Sequence, residues 1–95
     1  MHVISLRRIR EFFTARRDAE SSLMAWYKTA KKAVWQNLAD VKQVYPSADS
    51  VGRHTVFNIR GNKYRLIARI NYRSQTLFVL AVMTHEEYDL GKWKE

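Results

Sequence analysis

Residues Lys63 to Tyr72 alternate so regularly that they restrict the fold more than any other stretch. Tyr64, Leu66, Ala68, Ile70 and Tyr72 fall on one side of an extended chain, and Lys63, Arg65, Ile67, Arg69 and Asn71 fall on the other. A strand with one greasy side needs neighbours to pair with and a layer to cover it. The neighbours are adjacent in sequence: HTVFNIR precedes across Gly61–Asn62, and TLFVLAVMTH follows across Arg73–Ser74–Gln75. Glycine first in a two-residue loop suits a primed hairpin turn, because it accepts φ > 0. The stretch from Thr55 to Asp89 therefore predicts a three-stranded antiparallel meander with a short exit helix.

The loops also set a register. Pairing Arg60 with Lys63 puts Asn58 opposite Arg65, and pairing Tyr72 with Thr76 puts Arg65 opposite Met83 and Lys63 opposite His85. On this register Asn58, Arg60, Lys63, Arg65 and His85 converge on the polar face at one end of the meander, with Arg69 one pleat along. A basic strand face can serve solubility alone, but such faces are usually mixed in sign and this one contains no acid. The exit segment adds Tyr88, three residues after His85 and on the same side of a helical turn.

Ninety-five residues are enough for one core and too few for two, so residues 1–95 are expected to form a single domain. The chain is 46% hydrophobic and carries three Trp, five Tyr and four Phe, so it can build that core without staples. Zero cysteines exclude disulfides and thiolate chemistry and fit a reducing compartment. Seventeen Lys and Arg against nine Asp and Glu leave a net charge of +8, a field that favours a polyanion or an acidic partner. The uncharged apolar run Thr76 to His85 is about half of what a membrane-spanning helix requires. The first residues lack the continuous apolar core of a secretory signal, so no membrane association and a cytoplasmic location are expected.

Ahead of the meander, His2 to Ser5 reads as an edge strand added to the later sheet. Leu6, Ile9, Phe12 and Phe13 recur at helical spacing among Arg7, Arg8, Arg10, Arg16 and Arg17, predicting an amphipathic helix that ends near Arg17. Its arginines read as a solvated face rather than an active site. Asp18 is placed to cap a second helix with a buried stripe of Leu23, Trp26, Tyr27, Ala30 and Val34. Trp26, Tyr27 and Trp35 at this spacing are core aromatics. A third short helix over Asn37 to Tyr45, with Leu38, Val41, Val44 and Tyr45 inward, stops at Pro46, and Ser47 to Gly52 reads as a loop. Asp40 and Asp49 lack companions at ligand spacing and read as capping or turn residues, so no metal and no cofactor is expected.

The stretches WYKTAKKAVWQNLADVKQVYPSADSVG, VFNIRGNKYRLIARINY and VMTHEEYD together resemble the HigB toxins of bacterial toxin–antitoxin pairs, over roughly residues 20 to 93. That family is similar to the RelE/ParE-type toxins, which implies an α+β fold with helices on one face of a small antiparallel sheet. The resemblance further implies a type II toxin acting as a ribosome-dependent mRNA endonuclease, with mRNA, the ribosome and a HigA-like helix-turn-helix antitoxin as partners. Tyr64–Arg65–Leu66, in a strand after a hairpin, is the element shared with the RelE-like group, and it implies that Arg65 contacts the scissile phosphate. The lysines of RelE-like enzymes on the preceding strand are missing here, where Asn58 and Arg60 stand. Where those enzymes have an arginine and a tyrosine near the last strand, this chain has His85 and Tyr88.

Metal-independent RNA cleavage needs a 2′-hydroxyl to attack the neighbouring phosphate, a base, donors for the developing charge and an acid for the leaving oxygen. Arg65 offers a bidentate fork for the phosphate, with Asn58, Arg60, Lys63 and Arg69 as further RNA contacts. His85 suits proton transfer, since an imidazole ordinarily titrates near pH ~6.5. Tyr88 offers either a ring to stack or a hydroxyl to donate. The competing class is a non-catalytic module that docks RNA, the ribosome or, as in ParE-type toxins, gyrase. Exposed aromatics on the central strand would favour simple RNA binding, and here they alternate inward.

Overall fold

The computed structural model describes residues 1–94. A five-stranded sheet carries helices on one face: β1 (His2–Ile4), β2 (Asp49–Val51), β3 (His54–Ile59), β4 (Tyr64–Asn71) and β5 (Thr76–Thr84) lie in the order β1-β5-β4-β3-β2. The pairs β2–β3, β3–β4 and β4–β5 are antiparallel, whereas β1 runs parallel to β5. Helices α1 (Leu6–Ala15), α2 (Glu20–Lys32) and α3 (Leu38–Val44) precede the meander, and α4 (His85–Leu90) leaves it. The expected α+β meander is present. It gains a strand, β2, where Ser47 to Gly52 read as a loop; Asp49–Ser50–Val51 has no apolar alternation of its own and is extended because the edge of β3 offers it partners.

The greasy side of β4 faces the helices as expected. Leu66 and Ala68 are fully buried and Tyr64 nearly so, packed with Phe57, Leu77 and Val79 of the neighbouring strands and with Ile9, Leu23 and Trp26 of the helices. Trp26 meets Phe57 edge-on at 5.3 Å and Trp35 stacks on Phe57 at 6.3 Å, so both tryptophans are core. Two residues expected inward are not. Val34 is 70% exposed because α2 ends at Lys32 and Ala33 turns extended, and Val44 is half exposed on the last turn of α3.

Register is as expected in the first hairpin, where Asn58 lies opposite Arg65. In the second, two departures cancel. Asn71 rather than Tyr72 pairs with Thr76, because the loop is Tyr72–Gln75 with Gln75 at φ 56; a bulge then leaves Leu80 without a partner between the Ala68–Val79 and Ile67–Ala81 pairs. One extra loop residue and one bulged residue restore Arg65 opposite Met83.

The outer face is not simply basic. Val56 and Ile67 sit there 3% and 2% exposed, although neither belongs to the main core. The chain after α4 returns over this face as a 3₁₀ turn, Lys92–Lys94, and brings Trp93 edge-on to His54 of β3 at 5.7 Å.

Candidate functional site

Arg65 projects from the outer face of β4, yet it is only 7% exposed. Its guanidinium donates to the Asn62 carbonyl at 3.0 Å, to the Tyr64 carbonyl at 3.2 Å and to Asn62 Oδ1. The Nη2 that donates to Asn62 Oδ1 also lies 3.1 Å from His85 Nδ1. Every one of these partners is neutral, and among the described residues no carboxylate pairs with Arg65. The positive charge is held in place but not cancelled.

His85 is delivered by the sheet and fixed by the helix that follows. Its amide donates to the Lys63 carbonyl at 3.0 Å, which extends the β4–β5 ladder and places it beside Lys63 as the register predicts. Thr84 caps α4 with a reciprocal box: its hydroxyl accepts from the Glu87 amide and its amide donates to Glu87 Oε1, both at 3.1 Å. The Thr84 amide, and its hydroxyl, which also donates to Glu87 Oε1 at 3.0 Å, hold the Glu87 carboxyl below its ordinary value. Thr84-x-x-Glu87 is the usual sequence signature of such a box, so the sequence carried that signal. Since arginine only donates, Nδ1 of His85 must accept and bears the lone pair. The ring proton then sits on Nε2, 3.2 Å from Asp89 Oδ2 one turn along α4.

Tyr88 completes the cluster. The Arg65 guanidinium lies over its ring at 5.5 Å, and Trp93 stacks on it at 5.1 Å with planes 15° apart. With the ring engaged in both contacts, the hydroxyl is the part of Tyr88 left for a ligand. The Trp93 indole is tied down by Nε1 donating to the Tyr88 carbonyl at 3.0 Å, and Gly91, at φ 74, makes the left-handed turn that sends the chain there.

Arg65, His85 and Tyr88 are thus brought together, with Asn58 facing Arg65 across the ladder. Arg60 and Lys63 are not part of this cluster. Arg60 has φ 53 and Gly61 φ 64, so the chain leaves the pleat at Arg60 instead of at Gly61–Asn62, and the side chain turns toward the helix layer. There Asp18 takes it at 2.7 Å, takes Lys63 with the same oxygen, and accepts the Tyr64 hydroxyl at 2.6 Å on the other. Lys63, then Tyr64 and Arg60, hold the Asp18 carboxyl far below the usual carboxylate range, and Asp18 in turn raises Lys63 and Tyr64. Asp18 therefore does not cap α2, whose first turn grows out of a 3₁₀ segment at Arg17–Ala19 after α1 has ended at Ala15. Arg69 is exposed four residues along β4, beside His54 and Trp93. Sequence reasoning did not single out Asn62, Asp89 or Trp93; of these only Asp89, four residues after His85, had a spacing that signals contact.

Among the described residues no group of three or more His, Asp or Glu side chains is placed to hold a metal ion, and no helix is long and apolar enough to cross a membrane. The family model described as HigB_toxin, the RelE-like toxic component of a toxin–antitoxin system, matches residues 19–91. This chain belongs to the HigB toxin family. It is 32% identical over 92 residues to the mRNA interferase toxin HigB of Escherichia coli strain K12, covering 94% of this chain and 88% of the relative. The mRNA interferase HigB of Shigella flexneri matches to the same extent, and that of Escherichia coli O6:H1 is 26% identical with 94% and 89% covered. As in the rest of the HigB family, the chain is the toxic half of a pair and implies a cognate antitoxin.

Proposed function

We propose that this HigB toxin is an mRNA interferase that cuts RNA at the Arg65–His85–Tyr88 cluster without a metal. The observation that carries this reading is Arg65 itself, a nearly buried guanidinium whose fork is oriented by neutral acceptors and whose charge no acid among the described residues pairs with. A phosphate would supply the missing anion. Drawing the fork onto the phosphate releases His85 Nδ1, whose lone pair is then free to take the proton of the 2′-hydroxyl. The 2′-oxygen bonds to phosphorus, the bond from phosphorus to the 5′-oxygen breaks, and that oxygen leaves with a proton from the Tyr88 hydroxyl or from water. Products are a 2′,3′-cyclic phosphate and a 5′-hydroxyl. Asp89 keeps the ring proton of His85 on Nε2, and Asn58 contacts the RNA from the neighbouring strand.

Cleavage takes place on ribosomes translating in the cytoplasm, and a HigA-like helix-turn-helix antitoxin holds the toxin silent. The names of the relatives support the reaction, and the net charge of +8 supports a polyanionic target. The test is incubation of purified protein with an mRNA under translation, with and without EDTA, followed by mapping of new 5′ ends. Cuts in both conditions are expected, in register with the reading frame. Absence of cuts in both would replace the reaction with simple binding, and loss with EDTA would bring in a metal.

A further inference from the structure

Trp93, which stacks on Tyr88 of the Arg65 cluster, also lines a groove that no step above uses. Beyond Tyr88 and Trp93 the outer face opens into a cavity of about 360 Å³, lined by Arg53, His54, Arg69, Leu80, Trp93 and Lys94 together with the turn at Val51–Gly52. Its walls are largely apolar, and among the described residues its charged lining side chains are all cations. Arg69 is four residues from Arg65 on the same face of β4, so their backbones lie about 13 Å apart along the strand, a span that two arginine side chains can shorten. The aromatic rings run without a break between the two, from Tyr88 under Arg65 to Trp93 and then His54.

We propose that this groove is an RNA subsite that takes the base of a nucleotide flanking the scissile phosphate, with Trp93 as its stacking wall and Arg69 holding the adjoining phosphate. The inference rests on the RNA-cleaving reading above and adds to it a place where sequence is read. Three things favour a nucleotide over other occupants. The groove is of a size that holds a small organic group. A flat aromatic wall rimmed by cations matches a base with its phosphate. And Trp93 joins the groove to Tyr88, over whose ring the phosphate-directed arginine lies. An acidic peptide would find the cations but has no need of the flat wall.

Trp93 also provides the readout. Trp26 and Trp35 are 1% and 4% exposed and Trp93 is not buried, so a base arriving in the groove should quench Trp93 emission selectively. The probe is a short 2′-O-methyl oligoribonucleotide, which cannot be cleaved because its attacking oxygen is blocked. Titration should quench the emission, and an otherwise identical strand lacking the flanking base should bind without quenching. Trp93→Leu should weaken binding roughly 5- to 150-fold, as loss of one base–aromatic stack does, and Trp93→Phe should restore much of it. In end mapping, Trp93→Leu should flatten the base preference at one position beside the cut while cuts elsewhere in the transcript persist. Quenching that is the same with and without the base, or RNA affinity unchanged in Trp93→Leu, would overturn the proposal. So would a Trp93→Leu protein that keeps RNA binding and loses its antitoxin, since the groove would then belong to a protein partner. Because the probe is uncleavable, a protein that binds it in the groove yet cuts no mRNA would refute the reaction and leave the subsite standing.

Discussion

The hairpin at residues 60–65 carries three cations within six residues, and the fold gives them opposite fates. Arg60 and Lys63 are folded toward the helices and share the Asp18 carboxylate with the Tyr64 hydroxyl. Arg65, two residues later, is turned to the other side of the sheet, where among the described residues it meets neutral oxygens, an imidazole nitrogen and the Tyr88 ring. The first pair is an ion-pair network that ties the hairpin to the start of α2; the second site keeps an unspent charge. Formal charge in a sequence is therefore a poor guide to potential on a surface. One carboxylate removes two of the five cations and polar groups that the alternation alone would have assembled.

The contrast makes its largest prediction at Arg65 and His85. Arg65→Ala should slow single-turnover cleavage by ~10²–10³ and His85→Ala by ~10²–10⁴, with the double variant losing less than the product of the two. Arg65→Lys should remain folded and still cleave poorly, because a point charge does not reproduce the fork. A folded double variant cutting mRNA at the wild-type rate would move the chemistry off this sheet. Leu66, the next residue, points into the core, and Leu66→Ala should cost ~2–5 kcal/mol in chemical denaturation without that specific loss of rate in the folded fraction. Little change in stability would mean that the inner face has been misassigned.

A smaller effect is expected at Asn62, whose side chain and carbonyl aim the Arg65 fork. Removing the side-chain acceptor in Asn62→Ala takes away a hydrogen bond to a charged group and should reduce cleavage about 10- to 100-fold with Arg65 still present. An unaltered rate would show that Arg65 needs no aiming.

At the other cluster the readout is stability against pH rather than rate. The carboxyl of Asp18 is depressed by folding, so its contribution is complete above its ordinary value of 3.8 and is lost as pH falls from there toward the folded value. Wild-type denaturation midpoints should drop below about pH 4, and Asp18→Asn should flatten that limb. Because the pair is partly exposed, added salt should shrink the difference. An acid limb of equal steepness in both proteins would remove Asp18 from the account. The smallest effect is expected on α1, where Arg7→Glu with Arg10→Glu should leave the rate at saturating ribosome unchanged, while slower association at low salt would reflect lost steering.

Strand alternation was enough to read much of this molecule from its sequence. Period-two patterning in Lys63–Tyr72 assigned the buried face of β4, the short loops assigned the meander, and helical spacing assigned Trp26 and Trp35 to the core; each of these depends on residues close together in the chain. His85 and Tyr88 were legible as neighbours for the same reason, three residues apart on one helical turn. What the sequence could not state were contacts closed over long separations. Asp18 reaches Arg60 across 42 residues, and no local pattern distinguishes an acid that caps a helix from one that ties down a hairpin. Nor does any pattern announce that β2 will find the edge of β3, or that a bulge at Leu80 will offset an extra loop residue. The aromatic path from Arg65 through Tyr88 to Trp93 exists only because the chain turns back at Gly91 over the outer face. Secondary structure follows from local sterics and periodicity; which charge remains uncompensated follows from packing, and packing is decided by the whole chain at once.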